Sequence, residues 1–227
     1  MKLTEKFQPG RHWVFIEEDT VTAHFTNPQG LHLSINHFNL APDIGAELSD
    51  LNGVRAVYRS LAESNAAALI EADVVDFCGM QTVRTIIKIR MQPTGLVFIG
   101  SYTLPFANES YVLKIQAAET GVTGIREAAI MAMEPHFEID EETGKIAGWE
   151  QDPYDPSYRG TFMRNRADDK RYDERFPDHP LSLVRKHLRE LRSSLTIAME
   201  IQDSAPFQFK KNSGSTKSWW RLWKNDV

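Results

Sequence analysis

Apolar and polar residues alternate along much of the first half of the chain, and clusters of turn residues interrupt the alternation. Residues 12–18 (HWVFIEE), 21–26 (VTAHFT) and 31–38 (LHLSINHF) read as three strands. Glu18-Asp19-Thr20 and Asn27-Pro28-Gln29-Gly30 are compact turn signals between them. A second meander runs from Asp73 to Glu119. Its Thr82–Met91 run mixes Val83, Ile87 and Ile89 with Arg84, Lys88 and Arg90, and β-branched side chains suit a pleated, half-buried surface. Adjacent Ile86 and Ile87 break strict alternation, which points to a bulge or to burial on both sides. Gln92-Pro93-Thr94-Gly95 is a turn, Leu96 to Leu104 resumes the strand, and Tyr111, Leu113 and Ile115 alternate with Val112, Lys114 and Gln116. Short connections favour antiparallel neighbours, since a parallel pair needs a long crossover. One sheet is expected, with a solvated edge or face marked by Arg84, Lys88 and Arg90.

The period changes elsewhere. Leu51, Val54, Val57, Tyr58, Leu61 and Leu69 recur at helical spacing, so a helix is expected over about 50–71. Ser49 or Asp50 serves as its cap, with Gly53 weakening the first turn. A second helix is expected from Gly124 to about Met133, with Thr123 as cap and Pro135 as stop. Leu181, Val184, Leu188, Leu191 and Leu195 form the apolar stripe of a third helix over 181–200, while Arg185, Lys186, Arg189 and Arg192 populate its other faces. Asp178 or His179 with Pro180 is its start signal. Residues 138–178 are polar and rich in Gly, Pro and charge. They form a long connection, either anchored by Trp149, Tyr154, Tyr158, Phe162, Tyr172 and Phe176 or partly mobile.

The expected fold class is therefore α+β, a mainly antiparallel sheet with helices packed on it and a C-terminal helical extension. Residues 1–137 form the core, 138–202 the connection and docked helix, and 203–227 a tail. Composition changes this picture little: 41% hydrophobic and 25% charged residues are ordinary for a soluble globular protein. No apolar run is long enough to span a bilayer, and the N-terminus lacks the apolar core of a secretory signal. The single Cys78 excludes an internal disulfide, fits a reducing compartment, and is expected to be buried and inert in a strand. These features point to the cytoplasm, and the texture of the sequence to a bacterium. The net charge of −5 gives no reason to expect nucleic acid as a partner.

Four features could carry chemistry. His24 and His32 flank a turn and could meet across a hairpin, but zinc sites usually need three or four ligands, so solvated strand histidines are the simpler reading and no metal is expected. GVTGIREA sets Gly121, Thr123, Gly124 and Arg126 at a helix start, where anions are attracted, yet it lacks a complete phosphate-loop pattern. Thr123 is then a cap, and Arg126 is solvated or paired to a carboxylate. The acids of 168–174 lie close to His179 and could serve acid–base chemistry, but charge runs in loops are usually solvated and Asp-His-Pro before a helix is usually a cap. No catalytic residue, and no cofactor, is assigned. The texture of RYDERFPDHPLS suits docking of the last helix, or a partner-binding loop with Tyr172, Asp173, Phe176 and His179 as contacts. Finally, Trp219, Trp220 and Trp223 sit among Lys210, Lys211, Lys217, Arg221 and Lys224. Aromatic anchors with cations suit protein interfaces and anionic membrane surfaces, and the rival is that they fold back on the protein's own acidic body.

Three strands, a helix, about four strands and a second helix, carried by TVRTIIKIRMQPTGLVFIGSYTLPFANESYVLKIQAAE and the following GIREAAI, resemble the PsbP-like α/β/α sandwich over roughly residues 10–135. Members of that group mostly work as binding proteins, so the resemblance implies a non-enzymatic role and carries over no functional residue. The expected function is protein binding, of the adaptor, chaperone or immunity type, with another protein as partner and a homodimer as an option. The alternatives are a hydrolase using the acids of 168–179 and a small-molecule carrier.

Overall fold

In a computed structural model of the chain, residues 1–133, 138–141, 144 and 146–209 are described. The two meanders join into one seven-stranded antiparallel sheet. Strands β2 (Val14–Glu18), β3 (Thr22–Thr26) and β4 (His32–Phe38) come from the first, after a short helix α1 (Leu3–Lys6) and strand β1 (Phe7–Gln8). The second supplies β5 (Ala67–Phe77), β6 (Met80–Arg90), β7 (Leu96–Pro105) and β8 (Ser110–Ala118). The order across the sheet is β2-β3-β4-β8-β7-β6-β5. The seam between the meanders is β4 on β8, with Leu33 opposite Ile115 and Ile35 opposite Leu113. β2 and β5 are therefore the two edges.

Alternation divides the strand residues between two cores. Helix α2 (Leu51–Ser64) covers one face, where Val54, Tyr58 and Ala62 meet Ala72, Val83, Ile87, Val97 and Ile99. Asp50 accepts the Gly53 N–H at 2.9 Å as cap. Gly53 belongs there: a Cβ would fall 2.4 Å from the Asp50 carboxylate and 3.0 Å from Ala46. The helix stops at Ser64, short of the expected Glu71. Asn65 caps it and Ala66 turns to φ 55, after which Leu69 lies on β5 opposite Ile87. Leu69 fits the helical spacing by coincidence, and pairing with β6 overrides it.

The other face carries helix α4 (Pro180–Ser194), whose Leu181, Val184, Leu188 and Leu191 are fully buried against Phe98, Tyr102, Leu113 and Ile115. Gly100 lets α4 approach: a Cβ there would sit 2.5 Å from Leu188 and 2.6 Å from Val184. His179 is the cap, its Nδ1 accepting the Leu181 N–H at 3.2 Å, and Pro180 opens the first turn. The helix ends before the expected residue 200, because Thr196–Ile197 (β9) pairs with β1 and a short helix α5 (Met199–Gln202) follows. Residues 203–209 are docked: Ala107 donates to the Ala205 carbonyl at 2.9 Å, and Phe207 packs against the α2 core. Between β8 and α4 lie α3 (Ile125–Met133) and two 3-10 turns, Arg166–Asp168 and Lys170–Tyr172. Ile130, Trp149 and Ala167 form a third core there, flanked by Tyr172 and Phe176.

Two expectations about single residues are corrected. Cys78 is exposed in the tight β5–β6 turn at φ 55, not buried in a strand. Lys88, expected on a solvated face, is 1% exposed. The face is the expected one, but the 150–172 connection covers it. Phe162 packs over the Arg90 guanidinium at 3.9 Å, and Lys88 reaches Asp168.

Candidate functional site

The edge strand β5 alternates Glu71, Asp73 and Val75 on the α4 side of the sheet, and Arg84 on β6 stands opposite Asp73. Arg185, Arg189 and Arg192 recur on α4 at spacings of four and three, so they share one face. That face looks across the sheet towards β5. The connection closes the far side with Pro153, Tyr154 and the segment Arg164–Lys170. Together these walls enclose a cleft of about 780 Å³ with Tyr102 among its lining residues.

The connection is strapped to the rest of the fold by its aromatics. Tyr154 accepts the outward Ala72 N–H of β5 at 2.7 Å and stacks on Arg55 at 3.8 Å. Arg55 Nε in turn donates to the Ala72 carbonyl at 3.1 Å. Asp152, beside it, holds Arg59 of α2 through two hydrogen bonds of 2.8 and 2.9 Å, and that bond keeps the Arg59 guanidinium above its usual range. Tyr158 lies over Arg59, and Glu63 receives the N–H and hydroxyl of Thr161.

Charge in and beneath the cleft is extensively paired. Glu71 receives Arg84 and, at 2.6 Å, Arg185; Asp73 receives Arg55 at 2.7 Å. Asp168 accepts from the buried Lys88 at 2.6 Å and from the Asn165 N–H at 2.8 Å. Asp169 lies 3.9 Å from Arg164. Asp173 takes Arg126 at 3.0 Å, Arg185 at 2.8 Å and the Ser182 hydroxyl at 3.1 Å. Arg126 is 1% exposed, donates to the Ala167 and Asp169 carbonyls, and burial pulls its pKa down against the pull of Asp173. Every cleft carboxylate is within ion-pair distance of a cation. Lys170, Arg189 and Arg192 have no carboxylate partner among the described residues, so the cleft carries surplus positive charge. Burial raises the Tyr102 phenol above its ordinary value, and its hydroxyl donates to the Leu188 carbonyl.

The edge of β5 is open just beyond the strap. Ala72 points its N–H and C=O outward, and with a period of two Val74 must do the same. The outward groups of Val74 meet no partner among the described residues.

The residues singled out in the sequence fall in different places. Asp173 is an interior anchor, while Tyr172 and Phe176 pack partly against the third core. His179 is the α4 cap, packed edge-on against Phe98, with Nε2 3.7 Å from Glu119. Arg126 is paired rather than solvated. Gly124 donates to Glu119 at 2.9 Å, so a carboxylate occupies the α3 start. His24 and His32 do meet, Nδ1 to Nε2 at 3.1 Å, with rings stacked. Trp219, Trp220 and Trp223 lie outside the described residues. The sequence reading weighed Asp168 among the loop acids but missed Glu71, Asp73 and Lys88 as site residues, although acids on β5 facing bases on β6 and the arginine stripe of α4 were visible signals.

No family model matches the chain, and no curated protein matches it. Among solved structures it is similar to a Bacteroides thetaiotaomicron protein, at 12% identity over 52% of this chain and with a TM-score of 0.31, the match spanning 40% of that protein's length. It is similar to cyanobacterial PsbP from Synechocystis at 11% identity, over 57% of this chain and 82% of that one, with a TM-score of 0.34. Human StAR-related lipid transfer protein 5 matches at 7% identity, over 56% and 82% of the two chains, with a TM-score of 0.23. The likeness to PsbP is one of fold, an α+β arrangement around an antiparallel sheet. Among the described residues no helix is long and apolar enough to cross a membrane.

Proposed function

We propose that this chain is a non-enzymatic binding protein of the bacterial cytoplasm, and that its partner is another polypeptide, docked as an extended acidic segment in the cleft beside β5. The observation that carries this reading is the pairing of surplus cations Lys170, Arg189 and Arg192 with the open edge at Val74. A strand laid along such an edge gains main-chain hydrogen bonds, and its alternate side chains reach the flanking wall. Acidic side chains there would meet Arg189 and Arg192. The hydrolase alternative is disfavoured because the cleft acids are already engaged by cations, which leaves none poised as a free general base. A carrier of apolar molecules is disfavoured by the charge of the walls, since such sites are mostly apolar.

The test is fluorescence anisotropy with a labelled oligoglutamate peptide, alongside competition by citrate and by inorganic phosphate. Peptide binding should weaken as salt rises and fall at least tenfold in the Arg189→Glu/Arg192→Glu double variant. Saturable citrate or phosphate binding without peptide binding would favour the carrier. Binding that the double variant leaves unchanged would remove the cleft from the account.

A second reading has its own observation. Edge strand β2 exposes Val14, Phe15 and Ile16 at 58%, 51% and 51%. An apolar edge invites pairing with another strand, and a second copy is the simplest partner. Ile16→Lys should then shift sedimentation toward the monomer, whereas a wild-type chain that is already monomeric at high concentration discards this reading.

A further inference from the structure

The turn before β2 lies directly against the last part of α4. Gly10 permits the contact, since a Cβ there would come within 2.7 Å of the Ser194 hydroxyl and 3.4 Å of the His12 ring. His12 is thereby placed beside His187 and Glu190, which share one face of α4 at a spacing of three. One ligand atom from each of the three residues lies within 4.8 Å of the other two. Rings of His12 and His187 are 5.7 Å apart, and Trp13 stands edge-on to His187 at 5.7 Å.

The hydrogen bonding of His187 decides what this cluster is. The residue is 3% exposed. Its Nε2 lies 2.6 Å from the Gln29 side-chain carbonyl, and Asn27 Nδ2 is a longer neighbour at 3.3 Å. The shorter contact places the ring proton on Nε2, because a carbonyl only accepts. In the neutral ring Nδ1 then keeps its lone pair. That atom is buried with no well-directed hydrogen bond, and Glu190 Oε2 is 2.9 Å away. His12 Nε2 is likewise buried with no partner. Ligand atoms of two imidazoles and a carboxylate thus converge, neither buried nitrogen having a directed hydrogen bond, and a bound cation would satisfy them.

We propose that His12, His187 and Glu190 bind a divalent first-row metal ion, with zinc as the best match to two imidazoles and one carboxylate. Zinc bond lengths imply ligand atoms about 3.4 Å apart. The half-exposed Glu190 and the turn bearing His12 close that distance by side-chain rotation. Gln29 acts as the outer partner that fixes the His187 tautomer, the usual arrangement for a ligating histidine. Three protein ligands leave a position for water, and the ion ties the N-terminal turn to α4.

Two other histidine clusters argue by contrast. Glu119, Glu127 and His179 are also close together, but His179 Nδ1 accepts the Leu181 N–H. Its proton therefore sits on Nε2, and no lone pair faces the carboxylates. His24 and His32 bond to each other, with no third ligand grouped with them among the described residues.

The experiment uses the full chain stripped with chelator, titrated with zinc by calorimetry and with cobalt(II) by visible absorption. One equivalent should bind, and zinc should raise the melting temperature by several degrees. Glu190→Gln and His12→Gln should each weaken binding at least tenfold while leaving the circular dichroism of the metal-free chain unchanged. His24→Gln should leave binding intact. Absence of saturable zinc binding up to millimolar concentration would overturn the proposal. So would binding that survives both Glu190→Gln and His12→Gln, or binding abolished by His24→Gln.

Discussion

Glu119 shows how one side chain closes a junction that no repeating element could. It is 8% exposed. Its two oxygens accept the Leu96 N–H at the start of β7 and the Gly124 N–H at the start of α3, each at 2.9 Å. Desolvation pushes its pKa up, but the nearby His179 ring and the N–H bonds from Gly124 and Leu96 outweigh it, and the net result lies below the ordinary carboxylate value. A depressed carboxylate contributes stability that is fully present above its unfolded value, about 4.3, and is lost as pH falls through the folded value. Unfolding free energies from urea titrations between pH 3 and 6 should therefore decline toward acid, and Glu119→Gln should flatten that decline. An identical acid limb in the variant would mean that other carboxylates carry it.

At the scale of elements, the contact of α4 with β7 is set by Gly100 and Leu188. Leu188→Ala should cost about 2–4 kcal/mol, because the side chain is fully buried and its removal leaves a cavity. Gly100→Ala adds a methyl group where Leu188 and Val184 already stand, and overpacking of this kind costs about 1–3 kcal/mol. The two changes share one volume, so they should not add. The double variant is expected to be more stable than the sum of the single losses predicts. Strict additivity in denaturant melts would show that α4 shifts bodily away from the sheet.

Across the whole molecule, the 150–172 connection is held to the sheet by a buried ion pair. Lys88 and Asp168, 1% and 2% exposed at their side chains, meet at 2.6 Å. Removing one partner leaves a buried charge uncompensated, so Asp168→Ala should cost about 3–5 kcal/mol. Replacing both with apolar residues of similar size, as in Lys88→Met/Asp168→Leu, should recover most of the loss. A double variant as unstable as Asp168→Ala would show that Asp168 matters chiefly through its bond to the Asn165 N–H.

The sequence by itself determined β2, β3, β4, β6, β7 and β8, the preference for antiparallel neighbours, the existence of α2, α3 and α4, and the stripe that buries α4. Those features depend on local periodicity, turn chemistry and capping, which a chain writes into consecutive residues. Asp50, His179 and Pro180 illustrate it, each acting on backbone groups within three positions. Tertiary structure alone decided where α2 gives way to β5, because Leu69 satisfies either period until β6 pairs with it. It likewise decided that Lys88 and Arg126 are buried. Nothing near either residue in the chain supplies the carboxylate that makes burial tolerable; Asp168 and Asp173 arrive from a distant connection. The cleft and the His12–His187–Glu190 cluster have the same origin. Their parts are separated by most of the chain and meet only because the β1–β9 pairing and Gly10 bring the N-terminal turn against α4, and because the connection folds back across the β5 edge.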